Sequence, residues 1–268
     1  MRRVEGKVAI VTGGSSGMGK GAAKVLAGEG ARIVIVDYSE KGEETVREII
    51  KEGGEALFYQ ADVQDGECLK KIYSEIAARY GSLDVLVNAA GIGPQASFFK
   101  SDGDFMERIL NINFKGVWNS CQAAIPHMLK NKYGKIVNFA SVTGVLVVDP
   151  CMTAYAATKG AIMALTKALA VEFASSAITV NAILPGVIDT PMLRNSVSES
   201  NPDDPESVLK GLASTVPMGR LGTAEEAGKV VLFLASDDSS YVTGTSIVFD
   251  GGSTIPESAG SGWQPQES

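Results

Sequence analysis

Lys7-Val-Ala-Ile-Val-Thr12-Gly13-Gly-Ser-Ser-Gly17-Met-Gly19 is the stretch whose reading decides the fold. Residues 7–12 form a short, mostly apolar run of buried-strand type, and a glycine-rich turn ends it. A helical segment follows from Lys20 to Glu29 and closes at Gly30. Glycines at such a turn allow a tight bend and close approach of a ligand. The free N–H groups and the dipole of the helix behind them favour a phosphate. The spacing is Gly-x-x-x-Gly-x-Gly, not the Gly-x-Gly-x-x-Gly of the dinucleotide fingerprint. On the glycines alone, a tight turn without a ligand explains the pattern equally well.

Working outward, Arg32–Asp37 reads as a second strand that ends in a carboxylate. An acid there accepts both hydrogen bonds from an adenosine ribose diol and repels a 2′-phosphate. Tyr38 follows it, and Ser16 sits in the glycine turn, so no basic residue awaits such a phosphate. These cues favour NAD over NADP. The alternative for Asp37 is a helix cap or a loop acid. A helix over 41–52 leads to a third strand, Glu55–Ala61, closed by Asp62 and Val63, a position that can meet an adenine ring. A helix over Gly66–Tyr80 precedes the strand Leu83–Asn88, which runs into Ala89, Ala90 and Gly91. Small residues there let a flat ligand lie close. Asn88 serves either ligand or backbone, with backbone the preferred reading.

A long helical region from Asp104 to Asn131 holds Asn111 and Asn113. Asparagine inside a helix is mildly unfavourable because its side chain competes for backbone hydrogen bonds. The strand Lys135–Ala140 then delivers Ser141 to its carboxyl end. In open parallel sheets ligands bind at those ends, so Ser141 shares an edge with Gly17, Asp37 and Asn88.

Tyr155–Ala170 is rich in Ala and Leu and apolar at helical spacing. As a helix it places Tyr155 and Lys159 one turn apart, about 6 Å along the axis. A free Tyr titrates near ~10, and a neighbouring cation lowers that value. Lys159 alone is insufficient to bring it to neutrality, and an oxidised nicotinamide ring is a candidate second cation. The plain alternative is two exposed side chains on a solvated helix face. A sixth strand, Ile178–Leu184, ends in Pro185-Gly186. Residues 189–217 are polar and carry Pro191, Pro202, Pro205 and Pro217. They are expected to form a long substrate loop or lid, with a helix start near Asp203 or Asp204. A last helix, Ala224–Ala235, and a strand, Thr245–Phe249, complete the pattern.

Strand and helix alternate throughout, which predicts an α/β, doubly wound parallel sheet of about seven strands with helices on both faces. One domain is expected over 1–257, with a mobile polar tail over 258–268. The net charge of −7 and the lack of a basic run argue against a nucleic-acid partner. No apolar run reaches membrane-spanning length, and no signal-peptide pattern precedes the first strand. Cys68, Cys121 and Cys151 are odd in number and widely spaced, as expected of reduced, buried thiols in a cytoplasmic protein. His127 is the only histidine and has no Cys at ligand spacing, so no metal site is predicted.

Thr12-Gly-x-x-x-Gly-x-Gly19, Asn88-Ala-Ala-Gly91, Asn113, Ser141, Tyr155-x-x-x-Lys159 and Pro185-Gly186, in that order, resemble the short-chain dehydrogenase/reductases. The resemblance covers about residues 5–253 and is to their compact single-domain, Rossmann-like branch. Asn201–Val208, Tyr241-Val-Thr-Gly244 and Asp250-Gly-Gly-Ser253 look more narrowly like bacterial UcpA-like oxidoreductases. One departure is that the family's Asn-Asn-Ala-Gly reads Asn88-Ala-Ala-Gly91.

The resemblance implies reversible hydride transfer between a secondary alcohol and a ketone, with NAD(H) as cofactor. It makes Tyr155 the general acid/base, and Lys159 the group that lowers the Tyr155 pKa and binds the nicotinamide ribose. Ser141 binds the substrate oxygen, and Asn113 holds a water linking Lys159 to solvent. The turn of Gly13, Ser15, Ser16, Gly17, Met18 and Gly19 holds the pyrophosphate. Asp37 and Tyr38 take the adenosine ribose, Asp62 and Val63 the adenine, and Ile188 and Thr190 the carboxamide. A homotetramer or homodimer is the expected assembly. The readings set beside it are an NADPH-dependent reductase of 3-oxoacyl thioesters and a non-catalytic dinucleotide-sensing scaffold.

Overall fold

A computed structural model describes residues 2–256. The expected polar tail, 258–268, lies outside the described residues, as does the domain limit at 257. Seven strands, all parallel, form one sheet in the order β3-β2-β1-β4-β5-β6-β7. They are β1 (Val8–Thr12), β2 (Arg32–Asp37), β3 (Glu55–Gln60), β4 (Val85–Asn88), β5 (Gly134–Phe139), β6 (Ile178–Pro185) and β7 (Ser246–Phe249). The order reverses between β1 and β4, the switch point at which doubly wound sheets open a ligand crevice. The register there pairs Thr12 with Asn88 and, one strand over, Asn88 with Asn138.

Parallel strands buried on both faces read as continuous apolar runs. Val8, Ile10, Val34, Val36 and Leu86 face one layer, built by α3 (Gly66–Tyr80), α5 (Gly116–Asn131) and α6 (Thr153–Phe173). Ala9, Val11, Ile33, Ile35 and Val87 face the other, built by α1 (Gly17–Gly28), α2 (Gly42–Lys51) and α9 (Ala224–Ala235). The period-2 alternation of strand side chains thus feeds two cores. His127 sits on α5 with its imidazole 3.5 Å from Ser74 Oγ of α3, a packing position.

Three expectations change. The 104–131 region is not one helix: α4 (Gly103–Leu110) passes through a wider π-helical turn, Asn111–Lys115, into α5. The 189–217 stretch is not a long loop but two helices, α7 (Pro191–Ser200) and α8 (Pro205–Thr215). Each starts as a helix should, with a side-chain cap and Pro in the first turn: Thr190 Oγ1 accepts from Leu193 N, and Asp204 Oδ1 from Ser207 N. Finally, only Cys121 of the three thiols is buried; Cys68 is half-buried and Cys151 is exposed. No described helix is long and apolar enough to cross a membrane.

Candidate active site

A cleft of about 770 Å³ lies along the carboxyl ends of β1 to β4 and against the segment after β6. The glycine turn forms one wall. Gly13 has φ +71°, and a Cβ there would lie 2.6 Å from Ala90 N, so the turn nests directly against the chain after β4. Helix α1 opens into the cleft with no side-chain cap from Ser16 and no acid in its first turn. Uncapped N–H groups and the positive end of the dipole suit a phosphate. Asp37 braces this wall: Oδ2 accepts from Ser15 N at 3.0 Å and Oδ1 from Ser39 N at 2.9 Å. Each carboxylate oxygen keeps a lone pair for a diol. These residues fit the pyrophosphate and adenosine ribose of a nicotinamide dinucleotide.

The structure brings most of the expected cofactor set to this cleft: Gly13, Ser15 to Gly19, Asp37, Tyr38, Asp62, Val63, Ala89 to Gly91, and Thr190. Asn88, Pro185, Gly186 and Ile188 do not line this cleft, and for Asn88 the backbone role is the preferred reading. Asn88 is 1% exposed, and its Nδ2 donates to Asn138 Oδ1 at 2.9 Å and to Cys121 Sγ at 3.5 Å. Its side chain is therefore turned into the sheet. Pro185 ends β6, where its carbonyl accepts from Val142 N, and Gly186 packs on Asp250 so tightly that a Cβ would come within 2.7 Å. Ile188 is buried and faces a separate cavity of about 360 Å³ beside Val216 and Phe249. Thr190, two residues on, lines the cleft.

Lys41, Gln64, Arg108, Met192 and Asn195 also line the cleft, and sequence reasoning misses them. Lys41 lies four residues past Asp37, a spacing that offers a signal. Arg108 and Asn195 reach the cleft from helices whose geometry no sequence period reveals.

Beyond the turn, α6 holds Tyr155 and Lys159 beside Ser141, two residues past β5. Burial pushes the Tyr155 phenol above its ordinary value, and the neighbouring Ser141 hydroxyl pulls the other way. Ser141 is itself fixed, its Oγ accepting from Thr143 N at 3.1 Å. Lys159 is buried; its Nζ lies 5.4 Å from the Tyr155 ring centroid and donates to Phe139 O at 2.7 Å. Burial lowers its pKa to about 8. This agrees with the expectation that Lys159 alone is insufficient to bring the phenol to neutrality. The ammonium is itself desolvated and aimed at a carbonyl, and desolvation dominates at Tyr155.

Asn113 is fully buried in the π-helical turn. Its Oδ1 accepts from Ile92 N at 2.8 Å, and its Nδ2 donates to Ile92 O at 2.9 Å and Thr158 Oγ1 at 3.3 Å. Thr158 in turn donates to the Tyr155 carbonyl at 2.7 Å. The Asn113 side-chain amide is therefore clasped to the Ile92 peptide and ties it to α6. On the open side, a Cβ at Gly93 would lie 3.5 Å from both Met192 Sδ and a Tyr155 ring carbon. Loop 92–97 and α7 thus face the phenol across a narrow gap. Leu146 and Val148 are more than half exposed, whereas Val145 packs on the core.

A parallel doubly wound sheet, a glycine turn at its switch point and a Ser–Tyr–Lys group beside the cleft define a dinucleotide-dependent oxidoreductase fold. Residues 13–254 match a family model described as enoyl-(acyl carrier protein) reductase. The chain belongs to the short-chain dehydrogenase/reductase family, oxidoreductases that use NAD or NADP. It is 45% identical to the oxidoreductase UcpA of Salmonella typhimurium over 262 residues, covering 98% of this chain and 100% of that protein. It is also 39% identical to the 3-oxoacyl-[acyl-carrier-protein] reductase FabG of Thermotoga maritima, over 94% of this chain and 100% of that one. Among solved structures, levodione reductase superposes with a TM-score of 0.89 at 34% identity, covering 94% of this chain and 99% of the other.

Proposed function

We propose that the protein catalyses reversible, NAD(H)-dependent hydride transfer between a secondary alcohol and a ketone. The observation that carries this reading is the placement of the Tyr155 phenol beside Ser141, with Lys159 buried against the same ring. In the oxidation direction Tyr155 takes the proton of the alcohol hydroxyl; in reduction it returns a proton to the carbonyl oxygen. Ser141, held by Thr143 N, donates to that oxygen and stabilises the charge it develops. The bound nicotinamide supplies or accepts the hydride. Lys159 adds a cation at the base of the site and, with Asn113 and Thr158, fixes the end of α6. Asp37, with two braced oxygens and no neighbouring Arg, favours the unphosphorylated dinucleotide.

Purified protein with NAD and a panel of secondary alcohols should form reduced cofactor, and Tyr155→Phe should abolish this. Undiminished turnover in that variant sinks the assignment of Tyr155. A second reading, reduction of 3-oxoacyl thioesters with NADPH, is favoured by one observation: Lys41 lines the cleft in the same loop as Asp37. A large steady-state preference for NADPH would revive it. A dinucleotide-sensing scaffold is the third, and tight NADH binding without turnover of any carbonyl compound would favour it. The reading also carries a cytoplasmic homotetramer or homodimer, assembled through α5, α6 and the β7 edge. Trp118, Val171 and Val248 stand exposed there.

A further inference from the structure

Helix α6 meets strand β5 through two hydrogen bonds. Near its start, Lys159 Nζ donates to Phe139 O at 2.7 Å. Seven residues later, Thr166 Oγ1 accepts from Asn138 Nδ2 at 3.0 Å. Seven residues are two helical turns, so both side chains spring from one face, their Cα atoms about 10 Å apart along the axis. Asn138 and Phe139 are adjacent, and Ser141 follows two residues on. The Asn138 amide is oriented from its other side by Asn88 of β4, whose Nδ2 donates to Asn138 Oδ1 at 2.9 Å. Thr166 sends its own proton to Ile162 O at 2.8 Å, which leaves its oxygen free to accept. Asn138 and Thr166 are wholly buried and Asn88 is 1% exposed.

This chain of side chains runs β4–β5–α6 through the middle of an apolar core. It leaves Asn88 Oδ1 buried without a partner among the described residues. An orphaned buried acceptor destabilises the fold, whereas an all-apolar packing of the same volume would carry no such penalty. Apolar contacts between a helix and a sheet permit sliding; a directed hydrogen bond at a single height does not.

We propose that Asn138 and Thr166 are positioning residues that fix the height of α6 against β5, and thereby the placement of Tyr155 and Lys159 relative to Ser141. The inference rests on the reading of Tyr155 as the acid/base. With the strut cut, the bond from the flexible Lys159 side chain is the one side-chain hydrogen bond left between α6 and β5 among the described residues. The Ser141 hydroxyl and the ammonium then lose alignment with the phenol.

The test uses the full-length protein with saturating NAD. The difference in tyrosinate absorbance between each variant and the same variant carrying Tyr155→Phe gives the titration midpoint of Tyr155 alone. Thr166→Val, nearly isosteric, should raise that midpoint by about half a pH unit or more. Thr166→Ser, which restores the oxygen, should return it to the wild-type value. Asn138→Ser, too short to reach both partners, should move it as Thr166→Val does and covers the case in which the valine variant fails to fold. A wild-type midpoint in Thr166→Val, or a Thr166→Ser that behaves like the valine variant, overturns the proposal. Turnover of the best alcohol from the panel separates the two ideas. Full activity in Tyr155→Phe defeats the acid/base reading, whereas an inactive Tyr155→Phe with an unmoved Thr166→Val midpoint defeats the strut alone.

Discussion

Lys159 Nζ reaches past the Tyr155 ring, 5.4 Å from its centroid, to donate to the carbonyl of Phe139 at 2.7 Å. The cation that serves the phenol is thus sealed in the protein, and its own titration bears on stability. Its folded pKa is lowered to about 8 from 10.5. Between those values the unfolded chain binds more protons than the folded one, so stability rises with pH across that window. The slope is at most ~1.4 kcal/mol for each step of pH, the full proton difference. Below about pH 8 both states are protonated and the burial penalty is fully felt. Chemical denaturation of ligand-free protein between pH 8 and 10 should show this rise, and Lys159→Met should remove it. A pH-independent difference between the two proteins would contradict it.

Asp37 governs cofactor choice in this reading. Asp37→Ser removes the negative charge and both diol acceptors while leaving a short polar side chain. The ratio of kcat/KM for NADH over NADPH should fall by at least about tenfold, the equivalent of ~1.4 kcal/mol. Lys41, in the same loop, should then matter more: the double variant Asp37→Ser, Lys41→Ala should lose much of the gained NADPH activity.

The turn itself is intolerant. A Cβ at Gly19 would overlap the Gly13 carbonyl oxygen and come within 3.2 Å of Ala89 Cβ. Gly19→Ala is expected to abolish NADH binding, read by quenching or transfer of protein fluorescence, and to lower the melting temperature by several degrees. Wild-type affinity in that variant would show that the turn does not seat the dinucleotide.

Arg194 ties α7 to its surroundings, pairing with both Asp189 oxygens at 2.6 and 2.7 Å and with Glu206 at 3.1 Å. All three side chains are solvent-exposed, so the pairs are weakened by salt and contribute little to global stability. Arg194→Ala should leave the melting temperature nearly unchanged. It should raise the KM for the alcohol several-fold, because α7 carries Met192 to the gap opposite Tyr155. High salt should reproduce part of that effect in the wild type. A variant that loses stability but not KM would remove α7 from the substrate side.

The strands are readable because buried parallel strands write themselves as runs such as 32–37, and the Gly66–Tyr80 and Ala224–Ala235 helices fall at the bounds expected. Helices α7 and α8 are not. Thr190-Pro191 and Asp204-Pro205 are good start signals, but short polar helices between prolines lack the apolar stripe that distinguishes a helix from a loop. Only the second start stands out in the sequence. Ser141, Asn113 and Tyr155 are reached through a family pattern; nothing in periodicity places strand β5 beside helix α6. The direction at Tyr155 escapes the sequence for a physical reason. A helical spacing gives the distance between a cation and a phenol, but not how much water either keeps, and burial is the largest influence on the phenol here.

The wide turn at Asn111–Lys115 puts α4 and α5 out of phase. One extra residue rotates everything before it by about 100° relative to an uninterrupted rod. Arg108 and Ile112 consequently look out toward the ligand crevice, while Val117 and Cys121 look in at the sheet. Deleting a single residue from this segment would keep nearly every side chain and still swing the guanidinium away from its place, a change of aim with almost no change of composition.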